Sequence, residues 1–182
     1  MTDLLIVVDM QRDFVSGALG SEQARAIVPA VAARIQQAKA ENTQVVFTLD
    51  THEENYMNTR EGHFLPVPHC IRGTWGHALA DGLTVRAEAG RIEKPTFGST
   101  ALGELVRSRF AAGEIDRVEL VGLCTDICVI SNALLCKAFC PELPVSVDAA
   151  CCAGVTPETH RNALSAMQCC QIDVLNIAPD AK

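Results

Sequence analysis

Basic residues are few in this 182-residue sequence. Lys and Arg number 15 against 22 Asp and Glu, so the formal net charge is -7 and the pI lies near 5.2. The positive charges are scattered singly along the chain. Because a nucleic-acid-binding surface needs clustered cations that neutralise many phosphates, no nucleic acid is expected as a partner.

Apolar segments of membrane length are also lacking. Only one short apolar run, Leu4–Val8, follows the N-terminal Met-Thr-Asp, and the basic region of a signal peptide is absent there. The most apolar later segment, Leu120 to Cys140, is broken by Asp126, Asn132 and Lys137, which are costly in lipid. We therefore expect no export, no membrane span and a cytoplasmic location.

The nine cysteines lack the two-residue spacing of a zinc knuckle or a thioredoxin-like redox motif. Without export they are expected to be reduced thiols, for which an odd number is no difficulty. Most of them should pack in the core, including the adjacent pairs Cys151-Cys152 and Cys169-Cys170. A redox store in the cysteine-rich C-terminal half is a weaker alternative hypothesis.

Short apolar runs alternate with stretches of helical periodicity. The length and the 48% hydrophobic content suit one domain, residues 1–182. The runs lack the polar alternation of half-exposed strands and predict buried parallel strands, with a further short strand ending near Lys94. The fold class is therefore α/β, a three-layer domain with a mostly parallel six-stranded sheet and helices on both faces. The predicted strands are Leu4–Val8, Gln44–Leu49, Val118–Val121, Val145–Val147 and Ile172–Leu175, and the predicted helices are Glu22–Ala40, Ser99–Phe110, Asp126–Ala138 and Pro157–Cys170.

Reactive side chains follow the predicted strands at their carboxyl ends. Asp9, Asp50 and Lys94 close the first three strands, and the segment Gly122–Asp126 follows the fourth. The carboxyl ends of parallel strands meet at one rim, where ligands bind in such folds. The connection Thr51–Leu83 has more than thirty residues, which is too long for an idle loop in a compact domain and indicates function.

Cys128 is the candidate nucleophile at this rim. It falls in the first turn of the helix predicted after Thr125, where the helix dipole favours an anion and lowers a thiol pKa. Taken alone, Cys128 would be a packing residue, Asp9 a turn cap and Lys94 a surface charge. Together, Asp9 can accept the thiol proton while Lys94 holds the carboxylate ionised.

Three motifs resemble the catalytic signatures of the isochorismatase-like cysteine hydrolases, the superfamily that contains nicotinamidases and N-carbamoylsarcosine amidases. They are Asp9-Met-Gln-Arg-Asp-Phe14, Lys94-Pro-Thr-Phe-Gly98 and Gly122-Leu-Cys-Thr-Asp-Ile-Cys128, and the resemblance covers nearly the whole chain. It implies a Rossmann-like strand order and a catalytic triad of Asp9, Lys94 and Cys128. It also implies a homo-oligomer in which a neighbouring subunit completes the pocket.

The same resemblance implies an oxyanion hole after the fourth strand. A non-proline cis peptide between Leu123 and Cys124 would turn two amides inward. The backbone N–H groups of Cys124 and Cys128 would then bind the developing oxyanion. Cys124 is thus expected to act through its backbone and not through its thiol.

Oxygen and nitrogen donors in the long loop suggest a divalent metal, with zinc expected and iron or manganese as alternatives. Many nicotinamidases place a second His six residues after the first, where this chain has Asn58. Some family members use a Glu from this loop instead. His63 is a competing ligand that the spacing does not exclude. The expected ligands are Asp50, His52, Glu61 and His69.

Phe14, Phe64 and Trp75 are the candidate contacts for a flat substrate ring. Pro66 stands where nicotinamidases commonly have a Trp, three residues before the metal-binding His. Each of the three aromatic residues can equally be an ordinary packing residue. The resemblance therefore specifies the reaction better than the substrate.

The expected function is metal-assisted hydrolysis of a small-molecule amide through a thioester on Cys128, with nicotinamide going to nicotinate and ammonia as the leading candidate. One alternative is a carbamoyl or ureido amidase of the same superfamily, which keeps the triad but needs no metal. Isochorismatase activity itself is disfavoured, because vinyl-ether hydrolysis needs no cysteine nucleophile. The alternative from another class is a non-catalytic ligand-binding member of the fold.

Overall fold

The computed structural model describes residues 3–83 and 89–177 of the chain. Within these ranges the strands are β1 (Asp3–Val8), β2 (Gln44–Asp50), β3 (Gly90–Lys94), β4 (Arg117–Leu123), β5 (Val145–Ala153) and β6 (Asp173–Leu175). They form one sheet in the order β3-β2-β1-β4-β5-β6, and every pair of neighbours is parallel. The fold class is confirmed, and the strand order is the Rossmann-like one.

Helices connect the strands and begin at side-chain caps where the sequence supplies them. The hydroxyls of Ser21, Ser99 and Thr156 each accept a backbone N–H from the first turn of the following helix. None of the described helices is both long and apolar enough to cross a membrane. The helices are α1 (Arg12–Val15), α2 (Glu22–Ala40), α3 (Arg60–Phe64), α4 (Thr100–Ala111), α5 (Ile130–Phe139) and α6 (Pro157–Cys169), with a 3-10 turn at Tyr56–Asn58 and a π-helical turn at Thr125–Val129.

The central strand β1 shows why its sequence is a continuous apolar run. Leu4, Ile6 and Val8 pack on the face covered by α4, α5 and α6. Leu5 and Val7 point to the other face, against α2. Because successive strand residues face opposite sides and both sides are buried, every position must be apolar until the strand ends at the rim.

The predicted elements are confirmed with changes at their ends. The predicted strand at Val145–Val147 extends to Ala153. The helix predicted to begin at Asp126 begins instead with the π-helical turn, and α5 follows from Ile130. The short helices α1 and α3 were not predicted, because four or five residues are too few to show helical periodicity.

The cysteine prediction was partly wrong. All nine cysteines are free thiols, and Cys151 and Cys152 are buried in β5 as expected. Cys169 and Cys170 are exposed instead. The buried side of α6 consists of Ala163, Leu164 and Met167. Cys169, the last residue of the helix, and Cys170, which follows it, do not belong to this buried side.

The single glycine of β4, Gly122, offers a test of how closely this strand approaches β1. Gly122 has φ +117°, and a Cβ atom there would lie 2.1 Å from the backbone oxygen of Val8. Gly122→Ala should therefore lower the free energy of unfolding by roughly 3 kcal/mol or more in urea titrations. Gly113→Ala is the matched control, because Gly113 has φ +69° and nothing within 4 Å. Equal losses in the two variants would show that the approach to Val8 does not matter.

Candidate active site and metal centre

Neighbouring strand ends bring the predicted site residues to one rim. β1 pairs with β2 through Val8 and Thr48 and with β4 through Val8 and Gly122, so the residues that follow these positions lie side by side. At the end of β2, Asp50 pairs with Lys94 of β3. The strand order thus brings together the predicted triad of Asp9 after β1, Lys94 at the end of β3 and Cys128 in the turn that follows β4.

The ammonium group of Lys94 lies at the centre of this arrangement. Its Nζ is 2.6 Å from Oδ2 of Asp9 and 3.5 Å from Sγ of Cys128. It is also 3.5 Å from Oδ1 of Asp50. Burial opposes the charge of Lys94, but the neighbouring charges, Asp9 foremost, outweigh burial and raise its pKa. Lys94 is therefore a permanent cation inside the protein.

Asp9 is fully buried and held in a defined orientation. Its backbone lies in the left-handed region at φ 47°. The hydroxyl of Thr48 donates to Oδ1 at 2.6 Å, which leaves Oδ2 facing Lys94. Burial raises the pKa of Asp9 although Lys94 and Thr48 both lower it. A carboxyl group with a raised pKa is suited to accept and return a proton.

Cys128 lies in the π-helical turn and is almost completely buried. Burial, followed by the negative charge of Asp9, raises its pKa well above the ordinary thiol value, and the opposing effect of Lys94 is smaller. The expectation that the helix terminus lowers this pKa is wrong for the resting protein. Cys128 is therefore a neutral thiol, and a base would have to remove its proton before the sulfur could act as a nucleophile.

Of the two predicted oxyanion-hole residues, Cys124 directly precedes this π-helical turn and Cys128 lies within it. The peptide bond between Leu123 and Cys124 is cis, as the resemblance implied. The carbonyl oxygen of Cys124 accepts the N–H groups of Ile127 and Val129 at 3.1 and 3.0 Å. The backbone N–H of Cys128 belongs to the residue between Ile127 and Val129 and is not one of the two N–H groups bonded to the carbonyl of Cys124. It lies in the same π-helical turn as the Cys128 thiol.

Four donors from the long loop and β2 form a compact group, named here the metal group. Nε2 of His52 is 2.9 Å from Oδ2 of Asp50 and 3.6 Å from Oε1 of Glu61. Nε2 of His69 is 3.5 and 3.7 Å from the same two oxygens. The ligand atoms of the group all lie within 4.8 Å of one another. Its members are Asp50, His52, Glu61 and His69.

The spacing and the chemistry of the metal group fit a divalent first-row ion. A tetrahedral zinc site with bonds of about 2.0–2.1 Å places its ligand atoms roughly 3.3 Å apart. Nδ1 of His69 bonds to the carbonyl of Val67 at 2.8 Å, which directs Nε2 into the group. His63, the alternative ligand, is exposed on α3 and is not in the group. The structure thus favours Glu61 over His63.

Sequence reasoning missed two supports of the metal group. The side-chain amide of Gln11 donates to the backbone oxygen of Asp50 at 2.8 Å and accepts its backbone N–H at 2.7 Å. Asp13 accepts the N–H of Cys70, the residue after His69, at 2.8 Å. Both supports belong to the first motif, where only Asp9 and Phe14 were singled out, so the motif itself was the available signal.

A cavity of about 890 Å³ opens beside the metal group. Phe64, 78% exposed, and Phe97, 47% exposed, line it together with Lys94, His52 and Glu61. Phe97 was not predicted as a substrate contact, although it lies three residues after Lys94 in the second motif.

The other two predicted aromatic contacts occupy different places. Phe14 packs edge-on against the ring of His69, with 5.5 Å between ring centroids. Trp75 is 56% exposed under the guanidinium of Arg12 and is not among the described residues that line the cavity. Of the three predicted contacts, Phe64 alone lies on the described cavity wall.

Comparisons with known proteins identify the family. A family model described as the isochorismatase domain matches residues 3–178. The uncharacterized isochorismatase family protein PncA of Bacillus subtilis (strain 168) is 29% identical over 175 residues, which cover 91% of this chain and 93% of that protein.

Two solved structures share the fold over nearly their whole lengths. The pyrazinamidase of Pyrococcus horikoshii, in complex with zinc, is 29% identical with a TM-score of 0.83 and covers 97% of this chain and 100% of its own. The nicotinamidase/pyrazinamidase PncA of Bacillus subtilis gives the same identity, TM-score and coverage. With the family model matching almost the entire sequence, the chain belongs to the isochorismatase family and is a hydrolase of that family.

Proposed function

We propose that the chain is a metal-assisted cysteine amidohydrolase that acts on a small amide through a thioester on Cys128. The leading substrate is nicotinamide, which would give nicotinate and ammonia. One observation carries the proposal: Nζ of Lys94 contacts Asp9, Cys128 and Asp50 at once, and so joins a nucleophile and its base to the metal group. The pyrazinamidase and nicotinamidase names of the similar structures support the choice of substrate.

The first half-reaction forms the thioester. Asp9 accepts the thiol proton of Cys128, and the thiolate attacks the carbonyl carbon of the amide. Negative charge develops on the carbonyl oxygen, where the backbone amides of Cys124 and Cys128 stabilise it by about 3 kcal/mol per donor. Asp9 then gives its proton to the departing nitrogen, ammonia leaves and the thioester remains.

The second half-reaction restores the enzyme. Asp9 takes a proton from a water molecule, the hydroxide attacks the thioester carbonyl and the carboxylic acid product leaves. The proton on Asp9 returns to the sulfur of Cys128, so atoms and charges balance over the cycle. Lys94 keeps its charge throughout and offsets whichever neighbour, Asp9 or Cys128, is negative.

The metal group would hold a divalent ion, with zinc as the first choice and iron or manganese as alternatives. When bound, the ion supplies a Lewis-acid anchor for a lone pair of the substrate ring or of a water molecule. A metal-independent carbamoyl or ureido amidase would not need four donors at this spacing, and a non-catalytic binding protein would not need the buried triad. The metal-assisted amidase is therefore preferred to both alternatives.

We also propose that the chain works in the cytoplasm as a homo-oligomer whose neighbouring subunit completes the pocket, as the family resemblance implies. The apolar side chains at the cavity support this proposal, because Phe64 is 78% exposed and Phe97 is 47% exposed within one chain.

Replacement of the nucleophile is the deciding experiment. Cys128→Ala should lower ammonia release at least roughly a thousandfold for any amide that the wild-type protein hydrolyses, in a panel of nicotinamide, pyrazinamide and carbamoyl substrates. Cys124→Ala is the matched control, because it keeps the backbone amide and should stay within a few-fold of wild type. If the wild-type protein releases no ammonia from any substrate, the proposed function is wrong.

Zinc-binding measurements test whether Glu61 or His63 is the metal ligand. Glu61→Gln should weaken zinc binding on the order of a hundredfold, because a ligand of the metal group loses its charge. His63→Gln should leave zinc binding unchanged. Zinc content after dialysis against graded chelator concentrations checks both variants. A protein without measurable zinc affinity, or an equal effect of the two substitutions, would contradict the assigned ligands.

The pH dependence of kcat/KM tests Asp9 as the base. Its carboxylate must be ionised in the free enzyme, so activity is present above the pKa of Asp9 and is lost as the pH falls through it. Burial raises this pKa above the ordinary 3.8, whereas the hydroxyl of Thr48 lowers it. Thr48→Val, which removes that hydroxyl, should therefore move the acidic limb to higher pH.

Thr43→Val provides the control, because Thr43 lies just before the opposite end of β2. Its acidic limb should coincide with that of the wild-type protein. If the acidic limb of Thr48→Val stayed at the wild-type pH or moved to lower pH, Asp9 would not be the base.

A further inference from the structure

Asn132 is a fully buried amide one helical turn after Cys128, and the mechanism above does not use it. Its Nδ2 donates to the backbone oxygen of Cys128 at 2.8 Å and to the backbone oxygen of Phe97 at 3.1 Å. Its Oδ1 accepts the N–H of Ser99 at 2.9 Å. The three partners demand one orientation of the amide, because two are acceptors and one is a donor.

The segment Pro95–Ser99 that Asn132 holds, named here the wall turn, has further hydrogen bonds of its own. The hydroxyl of Thr96 donates to the backbone oxygen of Gly98 at 2.7 Å, and the hydroxyl of Ser99 accepts the N–H of Leu102 at the start of α4. Gly98 lies directly against α5, since a Cβ atom there would be 2.7 Å from Cδ1 of Leu135. The wall turn is therefore packed on α5 as a unit.

The wall turn also forms one side of the cavity. Pro95, Thr96 and Phe97 all line it, directly after Lys94 of the triad. Phe97 lines the cavity, and its backbone oxygen accepts a hydrogen bond from Asn132. The same Asn132 amide group bonds to the backbone of the nucleophile. One side chain thus joins the aromatic wall to Cys128.

We propose that Asn132 is a positioning residue that sets the distance between the cavity wall at Phe97 and the nucleophile, and thereby the placement of a planar ring amide. This inference rests on the proposed amidase function and adds a specificity-determining pair, Asn132 and Phe97, to it. A ring packed on Phe97 has its carbonyl carbon at a distance from Cys128 that the amide bridge fixes. Loss of the bridge loosens the wall without removing any reacting group.

Asn132→Thr separates the two ends of the bridge. A Thr hydroxyl in a helix can donate to the carbonyl four residues earlier, so the bond to Cys128 is kept. The shorter side chain cannot reach Phe97 and Ser99, so the bonds to the wall turn are lost. Ser131→Ala is the matched control, because Ser131 lies beside Asn132 on α5 and, among the described residues, its hydroxyl donates to the backbone oxygen of Ile127 rather than to the wall turn.

The experiment is a double-mutant cycle with Phe97→Ala, read as KM and kcat for nicotinamide with the metal-loaded protein. Asn132→Thr should raise KM about five- to tenfold, the effect of losing one or two hydrogen bonds to the wall. Phe97→Ala should raise KM to a similar degree. In the Phe97→Ala background, Asn132→Thr should add less than about a twofold change, because both substitutions act through one wall. Ser131→Ala should leave KM at the wild-type value.

A structural role alone would give a different pattern. Asn132→Thr would then lower the amount of active enzyme and its thermal midpoint, reduce Vmax at constant KM, and act additively with Phe97→Ala. Either constant KM or additivity overturns the inference. Hydrogen exchange of the amides of residues 96–99 gives an independent check, because these amides should exchange faster in Asn132→Thr and at the wild-type rate in Ser131→Ala.

Failure of the proposed function can be distinguished from failure of this inference. If the wild-type protein hydrolyses no amide, the same cycle is measured as the Kd of nicotinate by calorimetry. A non-additive cycle in Kd would then support the positioning role although the amidase function had failed. If nicotinate does not bind, or if the cycle in Kd is additive, the positioning role is refuted as well.

Discussion

The rest of the site depends on the ion pairs that the buried ammonium group of Lys94 forms with Asp9 and Asp50. An isolated charge in the protein interior costs several kcal/mol, so the position of Lys94 is tolerable only because Asp9 and Asp50 lie within 2.6 and 3.5 Å. These carboxylates stand at the ends of β1 and β2, and Lys94 ends β3. Any strand order that separated these three ends would leave a buried charge without its partners. The ion pairs of the site therefore depend on the strand order, which places the ends of β1, β2 and β3 side by side.

The first motif shows how one short segment serves both halves of the site. Asp9 contacts Lys94, Gln11 bonds to both backbone groups of Asp50, and Asp13 holds the backbone beside His69. A displacement of this segment that moved Asp9 away from Lys94 would therefore also strain the hydrogen bonds to the backbone of the metal group. Supports that bond to the backbone of a ligand restrict its position without consuming its donor atom, which stays free for a metal ion.

The sequence predicts the elements and the rim positions of Asp9 and Lys94 from local rules, whereas the triad roles of Asp9, Lys94 and Cys128 come from the family resemblance. An apolar run that ends in Asp9 or Lys94 is visible without any three-dimensional information, since parallel strands share a rim. The choice of Glu61 over His63 and the proposed roles of Phe97 and Asn132 are not visible in this way. They depend on how α3 and the wall turn fold back on other elements, and contacts between segments far apart in the chain leave no spacing pattern. Asn132 showed itself in the sequence only as a polar residue that interrupts an apolar segment.

The raised pKa of Cys128 also gives each member of the proposed triad a separate role. In the proposed mechanism, the site contains the carboxylate of Asp9, the ammonium of Lys94 and a neutral thiol before attack. After the proton moves, it would contain a carboxylic acid, the same ammonium and a thiolate. The buried net charge is the same in both states, so the transfer avoids the cost of creating a new charge in the interior. Lys94 contacts both possible sites of the negative charge, Oδ2 of Asp9 and Sγ of Cys128. In the proposed mechanism the thiol therefore becomes a nucleophile only when its proton moves to Asp9, and Lys94 contacts the negative group both before and after that transfer.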